Sequence, residues 1–144
     1  METRLNMQEA EPQAYKAMLN LSMTPNSISK THHHLLKIRA SQINGCAFCI
    51  DMHTKEAMKD GESTQRIFLL NAWREVSLFT EEEKLVLELT EEVTLIHQHG
   101  VSSETYQKAE KQFGKNYLAQ LIMAIVTINA WNRIAISTTQ QPAS

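Results

Sequence analysis

The sequence predicts an all-α protein of six or seven helices. Four glycines and three prolines in 144 residues are too few for the many turns of a β-sandwich. Apolar residues recur three or four positions apart along most of the chain, which is the spacing of one helix face. A hydrophobic content of 42% is sufficient for a core. We therefore expect one domain over residues 1–144, with its core at about 10–137 and a polar tail at 138–144.

The first two predicted helices precede the cysteines, and the second is expected over about 29–42. Pro25 separates them, because proline disfavours the helical conformation of the residue before it. Asn44-Gly45 is in the position of a helix C-cap and ends the second helix. The apolar face of the first helix consists of Ala14, Ala17, Met18 and Leu21.

Three further helices are expected in the middle of the chain. The third begins at the cysteines and ends near Asp60-Gly61, and the fourth spans 63–76. Thr80 and Glu83 match a capping box, in which each side chain bonds the backbone of the other residue. This capping box opens the fifth helix, which the segment 97–100 ends.

The last two helices are expected over about 103–113 and about 115–136. The segment 121–126 is apolar on all sides, and such a helix is usually buried on every side. A chain this small cannot cover it alone, so we expect a homo-oligomer.

Charge and hydropathy predict the cellular environment. The net charge of −2 offers no basic surface for nucleic acid or for an anionic membrane. Polar side chains interrupt the most apolar run, 118–136, which argues against a membrane span. The first ten residues are too polar for a signal peptide. We therefore expect a cytoplasmic protein, in which thiols are reduced by default.

The two cysteines carry the strongest chemical signal. Cys46 and Cys49 are three positions apart, which places both sulfurs on one helix face and within reach of a disulfide. They begin a predicted helix, whose N-terminus favours a thiolate over a thiol. His53 follows one turn after Cys49 and could take or give a proton. The pattern favours a redox-active pair.

Two other interpretations of the cysteines stay open. Cysteine is often a small buried residue, so both could be structural. Cys46, Cys49 and His53 could also be three metal ligands, with His34 as a fourth. Structural zinc sites usually draw their ligands from two separate knuckles, and this sequence has one cysteine pair. We therefore expect no metal and no cofactor beyond the disulfide itself.

The histidine run 32–34 does not form a metal site by itself. Consecutive helical residues point about 100° apart, so at most one of the three histidines faces the cysteines.

The residues 36–53, LKIRASQINGCAFCIDMH, resemble the signature of the AhpD-like alkylhydroperoxidases, which belong to the carboxymuconolactone decarboxylase superfamily. The segment 129–135, NAWNRIA, is similar to the C-terminal helix of that family. The resemblance covers roughly residues 10–137. It implies an all-α fold that assembles into trimers or hexamers, and a thiol peroxidase acting on organic hydroperoxides or hydrogen peroxide.

The resemblance also implies a role for each site residue. Cys49 would attack the peroxide and become a sulfenic acid, and Cys46 would then resolve it to a disulfide. A dithiol reductant or adaptor protein would reset the pair. His53 matches the histidine of the family's proton relay. His34 stands where the family has a glutamate, twelve residues before the first cysteine.

The replacement of that glutamate keeps two further functions open. A general thiol–disulfide oxidoreductase with weak peroxidase activity is the main alternative, because His34 lacks a carboxylate. The second alternative is a protein without enzymatic activity, either an oligomer or a zinc-binding module. The decarboxylase branch of the superfamily lacks the cysteine pair, so its presence here argues against lactone decarboxylation.

Overall fold

A computed structural model describes residues 1–143, and every element of secondary structure within them is a helix. The predicted all-α fold is confirmed. Two short 3₁₀ segments, Leu70–Glu75 and Ile96–Gln98, flank the sixth helix. The α-helices in chain order are α1 (Met7–Ala10), α2 (Pro12–Ser22), α3 (Lys30–Asn44), α4 (Ala47–Lys59), α5 (Thr64–Phe68), α6 (Glu81–Thr94) and α7 (Ser103–Ser137).

The core lies where α3 packs between α6 and the second half of α7. Each of these helices contributes one apolar stripe, and α4 packs against the outer side of α3. The largest cluster of buried side chains includes Leu36, Val86, Leu89, Leu121, Ile125 and Ile128.

The helix ends follow the predicted signals. Thr80 and Glu83 form the capping box that opens α6, with both reciprocal bonds present. Ser29 caps α3 by accepting from the His32 backbone N–H. Gly45 ends α3 in the left-handed conformation, φ 70°, which glycine adopts without a steric penalty. Only Cys46 separates this turn from the first residue of α4, so the chain reverses directly at the cysteines.

The single helix predicted over 63–76 is wrong. The structure has the short helix α5 followed by the 3₁₀ segment, with a non-helical residue at Ala72. Ile67, Leu70 and Trp73 are all buried in the second core cluster. Their spacing of three matches the three residues per turn of a 3₁₀-helix, so this geometry places all three on one face.

Residues 103–137 form one long element with a break at Gly114, as the two predicted helices require. Gly114 has φ 79° and ψ 163°, a conformation essentially restricted to glycine. This element is long and apolar enough to cross a membrane. Length and composition alone are weak evidence for a membrane span, because the core helices of other proteins pass the same criterion. Leu118, Leu121 and Ile125 on it belong to the core.

Parts of three predicted helices are more exposed than expected. No residue of α2 is buried, so its apolar face does not pack into the core of this chain. Ile96 is exposed, since α6 ends at Thr94 and not near residue 97. Within the all-apolar segment, Leu121 and Ile125 are buried, whereas Met123 and Val126 are 48% and 45% exposed. A second subunit covering that side stays a prediction.

The first residues of the predicted polar tail contact the N-terminus. Thr138 is buried, and its carbonyl accepts from the Arg4 backbone N–H at 2.8 Å. Thr139 Oγ1 donates to the Glu2 carbonyl at 2.7 Å. These bonds hold the two ends of the chain together. Ser144 lies outside the described residues.

Candidate active site

The cysteine pair is built into the first turn of α4. Cys46 is the N-cap residue, and its sulfur accepts from the Cys49 backbone N–H at 3.3 Å. The two residues are joined by a disulfide, with their Cα atoms 5.3 Å apart. Both sulfurs lie at the positive end of the helix dipole, where the reduced pair would be stabilised as a thiolate.

The cysteines are buried, and apolar side chains pack against them. Cys46 is 1% exposed and Cys49 is 2% exposed, and both pack against Ala135 of α7 and against Phe48. The side chains that pack against the disulfide are therefore apolar. A backbone N–H of α4, that of Cys49, supplies a polar contact.

A network of buried amides fixes α7 behind the cysteines. The Asn44 amide donates to Asn129 Oδ1 and to Asn132 Oδ1, each at 2.9 Å. The Asn132 amide in turn donates to Ser41 Oγ at 3.0 Å. Asn132 is fully buried, so these bonds satisfy groups that water does not reach. Sequence analysis did not identify this network, because only the packing of α3 on α7 brings its members together.

His53 is buried one turn after Cys49, and its ring is oriented by a carboxylate. His53 Nδ1 lies 2.9 Å from Glu56 Oε2, so Nδ1 carries the proton and Nε2 keeps its lone pair. Burial lowers the pKa of His53 below 6.5, with Lys37 and His34 acting in the same direction and Glu56 opposing them. His53 is therefore a neutral base near pH 7.

Glu56 is a residue that sequence analysis missed. The i to i+3 spacing from His53 places both side chains on one face of α4, and this was the available signal. Glu56 gives His53 the carboxylate that the sequence comparison with AhpD-like proteins led us to consider absent.

His34 bonds an acid at the end of α4. His34 Nε2 lies 2.7 Å from Asp60 Oδ2, and its buried Nδ1 has no hydrogen-bond partner among residues 1–143. The hydrogen bond with His34 is the main cause that lowers the pKa of Asp60. His34 lies close enough to His53 to lower its pKa, but it is not part of the cavity wall described next.

Cys49 and His53 line a cavity of about 810 Å³ between the N-terminal helices and α7. Phe48 and His33 also line it, whereas Cys46 and His34 are not among its wall residues. The structure thus brings Cys49 and His53 together in the wall of one cavity. It places His33, and not the predicted His34, in the same wall.

His33 is the histidine of the run that faces this cavity. Its Nε2 bonds Asn26 Oδ1 at 3.0 Å, and its buried Nδ1 has no partner in the described part of the chain. Burial lowers the pKa of His33 to about 4, and Lys37 and His34 add to the shift. His33 is therefore neutral at physiological pH. Within residues 1–143, no group of three or more His, Cys, Asp or Glu side chains could hold a metal ion.

The comparisons with known proteins identify the family of this chain. Residues 10–92 match the carboxymuconolactone decarboxylase family. The chain belongs to this family. A curated relative, the uncharacterized protein YdfG of Bacillus subtilis (strain 168), is 42% identical over 146 residues and covers 100% of this chain and 99% of its own. Within the family, the sequence resemblance and the structural neighbours place the chain among the AhpD-like members.

Solved structures share the whole fold of this AhpD-like chain. ATU0492 of Agrobacterium tumefaciens, a protein of unknown function whose suggested identity is the antioxidant defence protein AhpD, is 38% identical with a TM-score of 0.95. The similarity covers 99% of both chains. An uncharacterized peroxidase-related protein from Silicibacter sp. TM1040 has a TM-score of 0.78 at 17% identity, over 96% of this chain and 81% of its own. At that identity the likeness shows the fold alone.

Proposed function

We propose that this protein is a cytoplasmic thiol peroxidase that reduces organic hydroperoxides or hydrogen peroxide. The observation that carries the proposal is that Cys49 and His53 line one cavity, while the disulfide partner Cys46 is not in its wall. The cavity gives a small peroxide access to a sulfur that is otherwise buried. Membership of the carboxymuconolactone decarboxylase family, and the 38% identical structure whose suggested identity is the antioxidant defence protein AhpD, support the same conclusion.

In the proposed first step, His53 Nε2 accepts the proton of the Cys49 thiol. The thiolate attacks the terminal peroxide oxygen, so that an S–O bond forms and the O–O bond breaks. The alkoxide that leaves takes the proton from His53 and departs as an alcohol, or as water when the substrate is hydrogen peroxide. Cys49 is then a sulfenic acid.

In the second step, the Cys46 sulfur attacks the Cys49 sulfur. An S–S bond forms and the sulfenic oxygen leaves as water with the proton of Cys46. One hydroperoxide and two thiols therefore give one alcohol, one water and one disulfide. A dithiol reductant or an adaptor protein, acting by thiol–disulfide exchange, returns the pair to the reduced state.

His34 has a supporting place in this proposal. Its bond to Asp60 fixes the tautomer, so that the buried Nδ1 carries a lone pair and can accept a proton near His53. We also propose that the protein self-associates, because the apolar Val126 of α7 is exposed and does not line the cavity.

A general thiol–disulfide oxidoreductase is the second candidate function. The observation that favours it is His34 at the position of the family glutamate. The reductant of the proposed peroxidase has to reach the same sulfurs, which are at most 2% exposed, so their burial does not distinguish the two functions. The peroxidase predicts rapid oxidation by peroxide, whereas this candidate predicts rapid exchange with disulfides and slow oxidation by peroxide.

Steady-state consumption of tert-butyl hydroperoxide, with dithiothreitol as the donor, tests the proposal. We expect Cys49→Ser to reduce consumption to the uncatalysed rate. Cys46→Ser, the same chemical change at the other sulfur, should form a sulfenic acid at Cys49 that dimedone traps. A Cys49→Ser protein that consumes peroxide as fast as wild type would overturn the proposal.

A further inference from the structure

The cavity beside Cys49 is larger than a small peroxide needs. Its volume of about 810 Å³ is in the upper part of the range for ligand sites, which is about 300–1,000 Å³. Several contacts connect the N-terminal segment to the body around it. Trp131 Nε1 donates to Ser22 Oγ at 2.7 Å, Ser27 donates to Gln120 Oε1 at 2.9 Å, and the Arg4 backbone N–H donates to the Thr138 carbonyl.

The wall of the cavity is mainly apolar. Leu19, Met52 and Met123 in this wall are each more than a third exposed, so they contact water when the cavity holds no ligand. Along α7 the wall extends from Ala119 to Ala135, which is about 24 Å at 1.5 Å per residue. This length and this surface fit an extended acyl chain, whose burial would remove both apolar surfaces from water.

One charge breaks the apolar wall. Among the wall residues within the described 1–143, Lys37 is the one that is charged at neutral pH, and no Asp or Glu is present. No carboxylate of the described chain lies within ion-pair distance of the Lys37 ammonium group. Lys37 lies in the same cavity wall as His33 and His53, and its charge contributes to the lowered pKa of both.

Within the described residues, the charge of Lys37 is therefore not compensated by an ion pair. A cation in a mainly apolar cavity attracts an anion more strongly than one at an open surface. A carboxylate is a fitting partner, because it accepts strong charge-assisted hydrogen bonds from an ammonium group.

We propose that the cavity binds the hydroperoxide of a long-chain carboxylic acid, with the carboxylate at Lys37, the acyl chain along the apolar wall and the hydroperoxide at Cys49. This inference rests on the proposed function and names its substrate class. The two thiols supply the two electrons, the hydroperoxide becomes a hydroxy acid and water, and the carboxylate is unchanged.

The first test compares three substrates with dithiothreitol as the donor: linoleic acid hydroperoxide, its methyl ester and tert-butyl hydroperoxide. We expect the wild type to prefer the acid to the ester, and Lys37→Met to lower the ratio of their kcat/KM values about tenfold. Lys55→Met is the matched control, because Lys55 pairs with Asp51 on the exposed side of α4. An equal loss for all three substrates would place Lys37 at the thiolate instead and overturn the proposal.

The second test measures binding without chemistry. Calorimetry of the Cys46→Ser/Cys49→Ser double variant with linoleic acid below its micelle concentration should show a 1:1 complex. Shorter saturated acids should bind more weakly, by up to about fourfold for each methylene that the cavity no longer buries. Lys37→Met in this background should weaken binding of the acid, and Lys55→Met should not.

The outcomes separate this inference from the proposed function. Oxidation by tert-butyl hydroperoxide, without binding of linoleic acid or preference for its hydroperoxide, would overturn the substrate class and keep the peroxidase. Tight binding of linoleic acid by a protein whose thiols no hydroperoxide oxidises would support the carboxylate site and overturn the peroxidase. Absence of binding in a protein that light scattering shows to be oligomeric would indicate that a second copy covers the cavity, and would also overturn the substrate class.

Discussion

Glu56 Oε2 lies 2.9 Å from His53 Nδ1, one turn further along α4. The carboxylate fixes the protonated nitrogen and leaves Nε2 with the free lone pair, and His53 lines the same cavity as Cys49. The relay that we propose would therefore have an acid bonded to its histidine, although the position of the family glutamate is occupied by His34. This relationship places the acid C-terminal to the cysteines, and not N-terminal to them.

Glu56 should set the pH dependence of peroxide reduction. Burial lowers the pKa of His53, and Glu56 opposes that shift, so Glu56→Gln should lower the pKa further. His53 acts as a base above its pKa, and activity is lost as the pH falls through it. We expect the acid limb of kcat/KM to move to lower pH in Glu56→Gln, with a reduced plateau because the base is weaker.

The pH profile of kcat/KM for tert-butyl hydroperoxide measures this shift. Asp51→Asn is the control, since it removes a carboxylate from the same helix that pairs with Lys55. An acid limb of Glu56→Gln that coincides with that of the wild type would contradict the role of Glu56.

His34 should contribute less than His53 to the rate. Asp60 holds the His34 tautomer whose buried Nδ1 carries the lone pair. We expect His53→Ala to lower kcat/KM by about 10²–10⁴, the usual contribution of a general acid–base group, and His34→Gln by a smaller factor.

Steady-state kinetics with a thermal unfolding control measure both effects. His99→Gln replaces an exposed histidine near the end of α6 and should leave the rate unchanged. A rate for His34→Gln equal to that of the wild type would remove His34 from the relay.

Glu91 should stabilise the fold through three donors. Glu91 Oε1 accepts from Arg39 at 2.9 Å and from Trp73 at 2.8 Å, and Oε2 accepts from Arg74. We expect Glu91→Gln to lower the free energy of unfolding by about 1–3 kcal/mol, because these are partly buried bonds to a charged group. Chemical denaturation measures this loss.

The loss should depend on pH. Burial alone would raise the pKa of Glu91, but the bonds from Trp73, Arg74 and Arg39 outweigh it and hold the pKa below 4.5. Its stabilisation is therefore complete above pH 4.5 and disappears as the pH falls through the folded pKa. Glu81→Gln, at an 89% exposed side chain, should cost less than about 0.5 kcal/mol. Equal effects of the two substitutions would contradict this prediction.

The sequence predicted the elements that depend on local signals. The capping box of Thr80 and Glu83, the left-handed turn at Gly45 and the break at Gly114 each follow from one or two residues, and the structure confirms them. The cysteine pair at the start of α4 was found in the same way, because its spacing and the preceding glycine are local.

Features that depend on packing could not be predicted from the sequence. The choice of His33 over its neighbours for the cavity wall depends on how α3 rotates against α7. The bonds of Glu91 could not be predicted either, because only the fold brings Arg39 and Trp73 to it. The 3₁₀ turn at Leu70 was missed, because its threefold spacing resembles one side of an α-helix.

One measurement tests the central claim most directly. The reduced protein is treated with one equivalent of tert-butyl hydroperoxide, and its intact mass and free thiols are determined before and after. The account predicts a rapid loss of two hydrogens and of both thiols, with the disulfide mapped to Cys46 and Cys49. Thiols that stay titratable in a folded protein would contradict the claim that Cys49, at the start of α4 and beside His53, is peroxide-reactive.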